Sequence, residues 1–354
     1  MSMRDDYLWD GSGEPDPEIR QLEAILGRFR HHRPAPAFPE MPSEQVVRQR
    51  FWQKSGFHKL AAAAAVVLVI AALLIRRSHP TPASQPGWNV ARVAGAPRVG
   101  SKAITSGGSG RLAIGQLLET DSHSRASITV DEVGQVDVEP DTRLRLLKAG
   151  SGQRRLALDR GTIHAVIWAP PGEFVVDTPS AVAVDLGCAY TLHVDNSGAG
   201  LLRTKLGWVG FKLEGRESFI PAGAACATRP KIGPGTPYFE DAPGPLRAAL
   251  SKLDFETNTP AQRNAGLALV LSQSRKRDAL TLWHLLARVG DSERGRVYDR
   301  LAALVPPPSG VTREGVLHLD QKMLDRWWNQ LDLGDISIWR TFERSWTEAE
   351  STKK

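Results

Sequence analysis

The sequence predicts a mainly β domain, preceded by one transmembrane helix and followed by an α-helical domain. Three observations predict this order: an unbroken apolar run at residues 60–75, a two-residue alternation of apolar side chains over residues 88–230, and a helical period over residues 245–354. Turn residues interrupt the alternation roughly every 8–12 residues, which is typical of an all-β sandwich, barrel or solenoid. We therefore expect a sandwich- or solenoid-like β domain.

Residues 1–59 form a short polar segment that contains one amphipathic helix. Asp16 is a candidate N-cap, and Pro17 suits the first helical position. One face of this helix carries the apolar side chains of Ile19, Leu22, Ile25, Leu26 and Phe29. A single helix cannot bury such a face alone, so it needs a protein partner, a second copy or the bilayer surface. A proline-rich linker follows at residues 33–44.

The apolar run is the candidate membrane span. Every side chain from Leu60 to Ile75 is apolar, and Lys59 and Arg76 close the run. As a helix it would extend about 24 Å, against a hydrocarbon core of about 30 Å, and the two flanking cations can reach the interface with their alkyl stems. A buried helix of a soluble domain and a signal peptide are the alternatives, although a signal peptide normally lies nearer the start of a chain.

The charges beside the run predict its orientation. More basic residues precede it than follow it: Arg48, Arg50, Lys54 and Lys59 against Arg76 and Arg77. Because positive residues favour the cytoplasmic side, we expect a cytoplasmic N-terminus and an exported C-terminus. Residues 76–87, which are rich in Pro and Ser, would then form a tether between the span and the β domain.

The period of the apolar residues separates the two exported regions. Strand-like alternation is clear at Ile128/Val130, Val136/Val138 and Tyr190/Leu192/Val194. No helical pattern interrupts residues 88–230, so we do not expect a parallel sheet with crossover helices. Farther along, residues 279–304 predict a helical hairpin, in which Gly290 ends the first helix, Asp291 caps the second and Pro306 follows it.

Neither the charges nor the motifs indicate catalysis or nucleic-acid binding. The 354 residues carry a formal net charge of +6, with acids and bases interspersed rather than gathered into a basic stripe. The sequence contains no H-E-x-x-H, C-x-x-C, EF-hand, phosphate-loop or G-x-S-x-G motif. We expect no enzyme activity, no metal, no small-molecule cofactor and no nucleic-acid partner, which leaves binding or signal transfer as the function.

The chain has two cysteines, Cys188 and Cys226, and both fall on the expected exported side. An oxidising compartment permits a disulfide between them. Two separately buried thiols are the alternative.

Five segments of the β region occur in an order known from one family: RASITVDEVGQVDVEPDT, LALDRGTIHAVI, FVVDTPSAVAVDLGCAY, LGWVGFK and IPAGA. Over residues 119–223 they resemble the FecR domain of membrane-bound regulators of bacterial envelope signalling. The third segment is the most specific, since it is similar to a Phe-x-Val-x-Thr-Pro that leads to a Gly-Thr-x-Phe. Its matching positions are Phe174, Thr178, Pro179, Gly187 and Tyr190.

This resemblance implies a single-pass protein of the bacterial inner membrane, with its C-terminus in the periplasm and protein partners on both sides. It also implies a sigma factor as one candidate for the cytoplasmic partner. The chain departs from the family in having Cys188 where threonine is usual, a short cytoplasmic segment and a helical tail. We therefore expect either a regulator that relays an envelope signal or, as the alternative, a membrane-anchored periplasmic scaffold or binding protein.

Overall fold

The structure describes most of the chain that follows the apolar run. This computed structural model describes residues 86–341, except 106, 151, 257–258 and 338, together with Pro17 and Arg20, which are helical and exposed. The apolar run and the apolar face of the N-terminal helix lie outside the described residues. Among the described residues, no helix has both the length and the apolar character needed to cross a membrane.

Residues 87–239 form eighteen strands within the described part of the chain. They are β1 (Gly87–Ala94), β2 (Arg98–Val99), β3 (Lys102–Ala103), β4 (Ser109–Ala113), β5 (Leu117–Glu119), β6 (Arg125–Val130), β7 (Gly134–Val138), β8 (Arg143–Lys148), β9 (Arg154–Ile167), β10 (Phe174–Asp177), β11 (Val182–Asp185), β12 (Cys188–Val194), β13 (Gly200–Leu206), β14 (Trp208–Leu213), β15 (Arg216–Pro221), β16 (Ala224–Arg229), β17 (Gly233–Pro234) and β18 (Tyr238–Phe239). The prediction of a mainly β region is confirmed.

The strands form two sheets. The first sheet has the order β4-β1-β6-β7-β9-β12-β13-β16, and the short strands β17 and β18 both pair with β16. The second sheet has the order β3-β2-β5-β8-β9-β10-β11-β14-β15. All of these pairings are antiparallel except that of β9 with β10. The chain passes from one sheet to the other several times, so the two sheets are built together rather than one after the other.

Strand β9 belongs to both sheets. Residues 154–160 pair with β8 and β10, whereas residues 161–167 pair with β7 and β12. Gly161 lies at the junction with φ +97°, and a Cβ at this position would overlap Thr142. Only glycine combines this backbone angle with so close an approach. The Thr142 hydroxyl accepts a hydrogen bond from the Thr162 N–H at 3.0 Å, which fixes the bend.

One apolar core lies between the sheets. The side chains predicted to alternate inward are all at most 1% exposed: Ile128, Val130, Val136, Val138, Tyr190, Leu192 and Val194. Trp88 of the first sheet stacks on Phe174 of the second, with ring centroids 6.3 Å apart. Burying each large apolar side chain contributes about 1.5–3 kcal/mol, so these inward positions are the main source of stability for the two layers.

Helices follow the strands, as predicted. They are α1 (Gly244–Phe255), α2 (Pro260–Gln273), α3 (Ala279–Leu286), α4 (Asp291–Leu304), α5 (Arg313–Leu317) and α6 (Gln321–Asn329), with a short 3-10 turn at Lys276–Asp278 before α3. The predicted hairpin corresponds to α3 and α4. Gly290, rather than Asp291, is the N-cap of α4; Asp291 is the first helical residue and pairs with Arg294 at 2.7 Å.

The helical region packs directly on the second sheet. Together with the strands it belongs to one compact unit, Arg77–Lys354. Phe219 of β15 lies against Trp208, Trp328 and Trp339, with centroid separations of 6.4, 5.2 and 6.1 Å. The β and helical regions, which the sequence suggests as separate domains, therefore share apolar contacts.

The bend in β9 gives a first testable prediction. Gly161→Ala should destabilise the protein by roughly 3 kcal/mol, because the new methyl group meets Thr142 and the backbone angle is unfavourable for alanine. Denaturant unfolding measures the loss. Gly115→Ala is the matched control, since Gly115 has φ +85° but nothing within 4 Å of an added Cβ. Equal losses at the two positions would show that the contact with Thr142 is unimportant.

Candidate functional site

The five family-motif positions lie on β10, on β12 and in the turns between them. Phe174 begins β10 and is buried in the core. Thr178 and Pro179 form the tight turn from β10 to β11, in which the Thr178 hydroxyl donates to the Ala181 carbonyl at 2.7 Å and accepts from the Ala181 N–H at 2.9 Å. The motif threonine therefore closes this hairpin with its own side chain.

Gly187 marks the crossing from the second sheet to the first. It connects β11 with β12 and has φ +84°. Its N–H donates to Asp185 Oδ1 at 2.7 Å, and the Cys188 thiol donates to Asp185 Oδ2 at 2.7 Å. Tyr190 lies two residues farther on, and its buried hydroxyl has no hydrogen-bond partner among the described residues. We call Asp185, Gly187, Cys188 and Tyr190 the crossing cluster.

Burial dominates the electrostatics of the crossing cluster. It raises the pKa of Asp185 to about 7, although the hydrogen bonds from Cys188 and Gly187 act in the opposite direction. Burial also raises the pKa of Cys188 and Tyr190 far above their ordinary values, and the nearby Asp185 charge adds to both effects. An unreactive thiol and a neutral phenol therefore surround one carboxyl group that titrates close to neutrality.

The structure corrects the disulfide that the sequence allowed. Cys188 and Cys226 are both free and buried. Cys226 pairs in register with Leu202, which pairs with Leu192, so two strand spacings separate Cys226 from Leu192 on β12. At about 4.8 Å per spacing, this distance already exceeds the Cα separation of about 7 Å that a disulfide tolerates, and Cys188 lies four residues farther along. The Cys226 thiol instead donates to the Gly235 carbonyl at 3.1 Å.

The free edge of β15 is closed by side chains of the helical region. The Phe219 N–H donates to Nε2 of His284 on α3 at 3.0 Å, and Arg288 donates to the Glu217 carbonyl at 2.7 Å. Both contacts replace hydrogen bonds that another strand would make. An open edge is a template for pairing with a foreign chain, so the helices protect the second sheet at this end.

His284 must be neutral to make this contact. Its Nδ1 lies 2.9 Å from the Leu280 carbonyl, which can only accept, so the proton is on Nδ1 and Nε2 is free to accept from Phe219. Burial, with a smaller contribution from the Arg288 charge, lowers the pKa of His284 to about 3. The imidazole therefore stays uncharged at any physiological pH and acts as a fixed hydrogen-bond acceptor.

A second set of polar contacts joins Glu217 to the end of the described chain. Arg340 donates to Glu217 Oε1 at 2.7 Å, and the Trp339 indole donates to Glu217 Oε2 at 2.8 Å. The ring of Trp339 lies so close to Gly210 of β14 that no Cβ would fit between them. The Glu217 carboxylate binds Trp339 and Arg340, and the lack of a side chain at Gly210 leaves room for the Trp339 ring. Together they position this segment on the sheet.

The predicted partner-binding residues Ile19, Leu22, Ile25, Leu26 and Phe29 lie outside the described residues, and their role stays a prediction. Within the part of the chain that the structure describes, no group of three or more His, Cys, Asp or Glu side chains is arranged to hold a metal ion.

The comparisons with known proteins bear on the region around the crossing cluster. Residues 116–203 match the family model described as FecR protein. We refer to this matched part of the chain as the FecR domain. The match overlaps the range 119–223 that the sequence motifs indicate, and it contains all five motif positions. It runs from β5 into β13, so the FecR domain contributes strands to both sheets and includes the bent strand β9.

The solved structures that resemble the chain do so weakly. Two crystal structures, at 1.65 and 2.50 Å resolution, show proteins from Parabacteroides distasonis that are each described as a candidate anti-sigma factor. Both are 15% identical to this chain with a TM-score of 0.32. The first alignment covers 38% of this chain and 63% of the other, and the second covers 44% and 73%. No curated protein sequence matches the chain significantly.

Several site residues were not predicted from the sequence. Asp185 follows an apolar run, AVAV, and an acid at the end of such a run is a signal for a partnered buried carboxyl group. His284 stands inside LTLWHLL in the same way. Glu217 and Arg288 carry no such signal, because their partners come from distant parts of the chain, beyond the FecR domain.

The raised pKa of Asp185 gives a prediction about pH. The folded protein holds a proton on Asp185 between pH 3.8 and about 7 that the unfolded chain releases, so this group's contribution to stability is lost as pH rises through that window. Asp185→Asn imitates the protonated form. Its free energy of unfolding, measured relative to the wild type, should rise by up to about 4 kcal/mol between pH 4 and 8, since one pKa unit corresponds to about 1.4 kcal/mol.

Comparing variant with wild type at each pH cancels the contribution of His284, which acts in the opposite direction because its pKa is lowered. Chemical unfolding at intervals of one pH unit is the measurement. A difference between the two proteins that does not change with pH would show that Asp185 titrates normally.

The contact between His284 and Phe219 gives a third prediction. His284→Ala leaves a buried N–H without an acceptor and opens a cavity, so we expect a loss of roughly 2–4 kcal/mol. His284→Gln keeps a neutral oxygen acceptor and should lose less than half as much. Denaturant unfolding compares the two variants. Equal losses would indicate that packing alone, and not the hydrogen bond to β15, explains the role of His284.

Proposed function

We propose that this protein is a single-pass regulator of the bacterial inner membrane, which relays a signal from the envelope to a cytoplasmic protein partner. The observation that carries the proposal is the FecR domain at residues 116–203. It follows an apolar run that is a candidate span, and a segment whose sequence predicts an amphipathic helix precedes that run. An extracytoplasmic-function sigma factor is the partner that we propose for this face. The proposal assigns no catalytic step to the chain.

The arrangement of the chain supports signal transfer across a short distance. Strand β1 begins at Gly87, and the apolar run ends at Ile75. The intervening residues can extend at most about 40 Å at roughly 3.5 Å each. With the run in the bilayer, the FecR domain is held close to the periplasmic surface, where binding of an envelope protein changes its distance or orientation relative to the span.

The helical region supports a role as part of the same exported unit. It is hydrogen-bonded to β15 through His284 and Arg288 and shares apolar contacts with the sheet. A partner that binds the helices therefore also acts on the strands. On this proposal the helical region takes the place of the separate partner-binding module that other members of the family are expected to have.

A periplasmic scaffold or binding protein is the second candidate. The observation that favours it is a cleft of about 880 Å³ between the later strands and the helices, lined by Trp208, Phe239, Leu280, Leu304 and Leu331 and also by Arg277. A cleft of this size can receive part of another molecule. The N-terminal segment would then serve only as an anchor.

A bacterial two-hybrid experiment tests the cytoplasmic role. Residues 1–59 as bait should interact with a sigma factor of the extracytoplasmic-function class from the same genome, and Leu22→Asp should abolish the interaction by placing a charge on the apolar face. Gln21→Asp, on the polar face of the same helix, is the matched control and should bind as the wild type does. If every such sigma factor fails to bind, or if Leu22→Asp binds normally, the regulatory proposal is wrong and the scaffold is favoured.

Topology is tested separately with reporter fusions. Alkaline phosphatase fused after residue 86 should be active, whereas the same fusion after residue 58 should be inactive, since this enzyme folds only outside the cytoplasm. The reverse pattern, or activity at both positions, would contradict the proposed orientation.

A further inference from the structure

The outer face of the first sheet carries a row of apolar side chains, of which Val166, Trp168 and Leu206 are exposed and Ala189 is half-buried. Val166 of β9 pairs in register with Ala189 of β12, and Ala189 pairs with Leu206 of β13. Trp168 follows two residues after Val166, on the same face. We call these four residues the apolar strip. They lie across three adjacent strands that all belong to the folded β region.

The exposure of the apolar strip is unusual. Trp168 is 66% exposed, Leu206 52% and Val166 40%. Isolated apolar residues on a surface are ordinary, but a contiguous set marks an interaction site, and tryptophan is the residue most enriched at the centres of protein interfaces. The strip is therefore a candidate contact surface.

The charges beside the apolar strip differ between its two ends. At the β7 end, Asp131, Glu132 and Asp137 line a shallow concavity of about 480 Å³ together with Val166 and Trp168. Asp131 pairs with Arg154, and Asp137 accepts from Gln135; Glu132 has no ion-pair partner among the described residues. The acidic residues outnumber the one buried arginine, so this end is negative.

The β13 end is basic. Lys205 precedes Leu206 and is exposed, with no ion-pair partner in the part of the chain that the structure describes. Arg203 is also exposed and pairs with Glu240 at 2.8 Å. In the neighbouring row, the register Asp137–His164–Thr191–Arg203 repeats the same order of acid and base across the four strands. The surface is thus negative at β7 and positive at β13.

We infer that the apolar strip binds a second copy of this chain. The two-fold axis of this dimer runs parallel to the strands and lies between β9 and β12. It brings the outer faces of the two first sheets together and reverses the order of the strands. β7 of each copy therefore lies opposite β13 of its partner copy. The acidic end then meets the basic end twice, and Val166 meets Ala189 twice. Such self-complementarity is what an isologous dimer requires.

Other occupants fit the charges less well. An anionic bilayer surface would be repelled by the acidic end, which lies beside the most exposed apolar residue of the strip, Trp168. A wholly basic protein segment would suit the β7 end but would be repelled at Lys205. Only a partner with both signs in the reverse order matches the whole surface, and the chain itself provides one.

Sedimentation equilibrium of the full chain in density-matched detergent tests the inference. The wild type should dimerise reversibly, and Leu206→Asp should raise the dimer dissociation constant at least tenfold. Val93→Asp is the matched control, because Val93 is a 59% exposed apolar residue on β1, away from the strip; it should dimerise as the wild type does. A monomeric wild type, or a dimer that Leu206→Asp leaves unchanged, would overturn the inference.

A charge exchange tests the proposed orientation. Asp137→Lys and Arg203→Glu should each raise the dissociation constant severalfold, because the shared register with His164 and Thr191 places Asp137 of one copy opposite Arg203 of its partner copy. The double variant restores opposite charges between copies and should return the constant to within about twofold of the wild type. Losses that simply add in the double variant would contradict the two-fold arrangement. Binding of a monomer to phosphatidylglycerol vesicles that requires Trp168 would assign the strip to a lipid surface instead.

Discussion

The architecture depends on one strand being able to serve two sheets. β9 can leave the second sheet and enter the first only because Gly161 adopts a left-handed angle beside Thr142, where no side chain fits. The strands on either side of it follow the same change of layer: β8 and β10 pair with its first half, and β7 and β12 with its second. The β region is thus a pair of sheets joined through a common strand, and a shift in that strand would affect both layers.

The β15 edge of the second sheet is covered by side chains rather than by another strand. A neutral imidazole and a buried guanidinium satisfy the backbone of β15. Each side chain is itself fixed: His284 donates to the Leu280 carbonyl, and Arg288 lies 3.7 Å from Asp254. A buried cation is costly unless paired and hydrogen-bonded, and here the sheet edge provides some of those hydrogen bonds. The helices and the second sheet are therefore coupled through polar groups as well as through the aromatic contacts around Phe219.

The sequence predicted the type of the two regions that the structure describes, the strands and the helices that follow them, for a physical reason. Period-two alternation reflects which side chains are buried, and positions such as Ile128 and Val136 are buried as that period requires. It could not predict which strand joins which sheet, because that choice depends on long-range pairing and on the bend at Gly161. The cysteines illustrate the limit. Their even number allows a bridge, and only the register of β12, β13 and β16 shows that they are too far apart.

The side chains that cover the β15 edge come later in the chain than the strand itself, and this order matters while the protein is being synthesised. The residues that cover this edge, from His284 to Arg340, follow every described strand in the sequence, so translation makes them after the strands. Until those residues have been made, backbone groups at the β15 edge lack hydrogen-bond partners. Such an open edge is a risk for association with neighbouring chains. The helices therefore protect the β15 edge only once they have been made, and a chain that stopped before His284 would leave that edge without these hydrogen bonds.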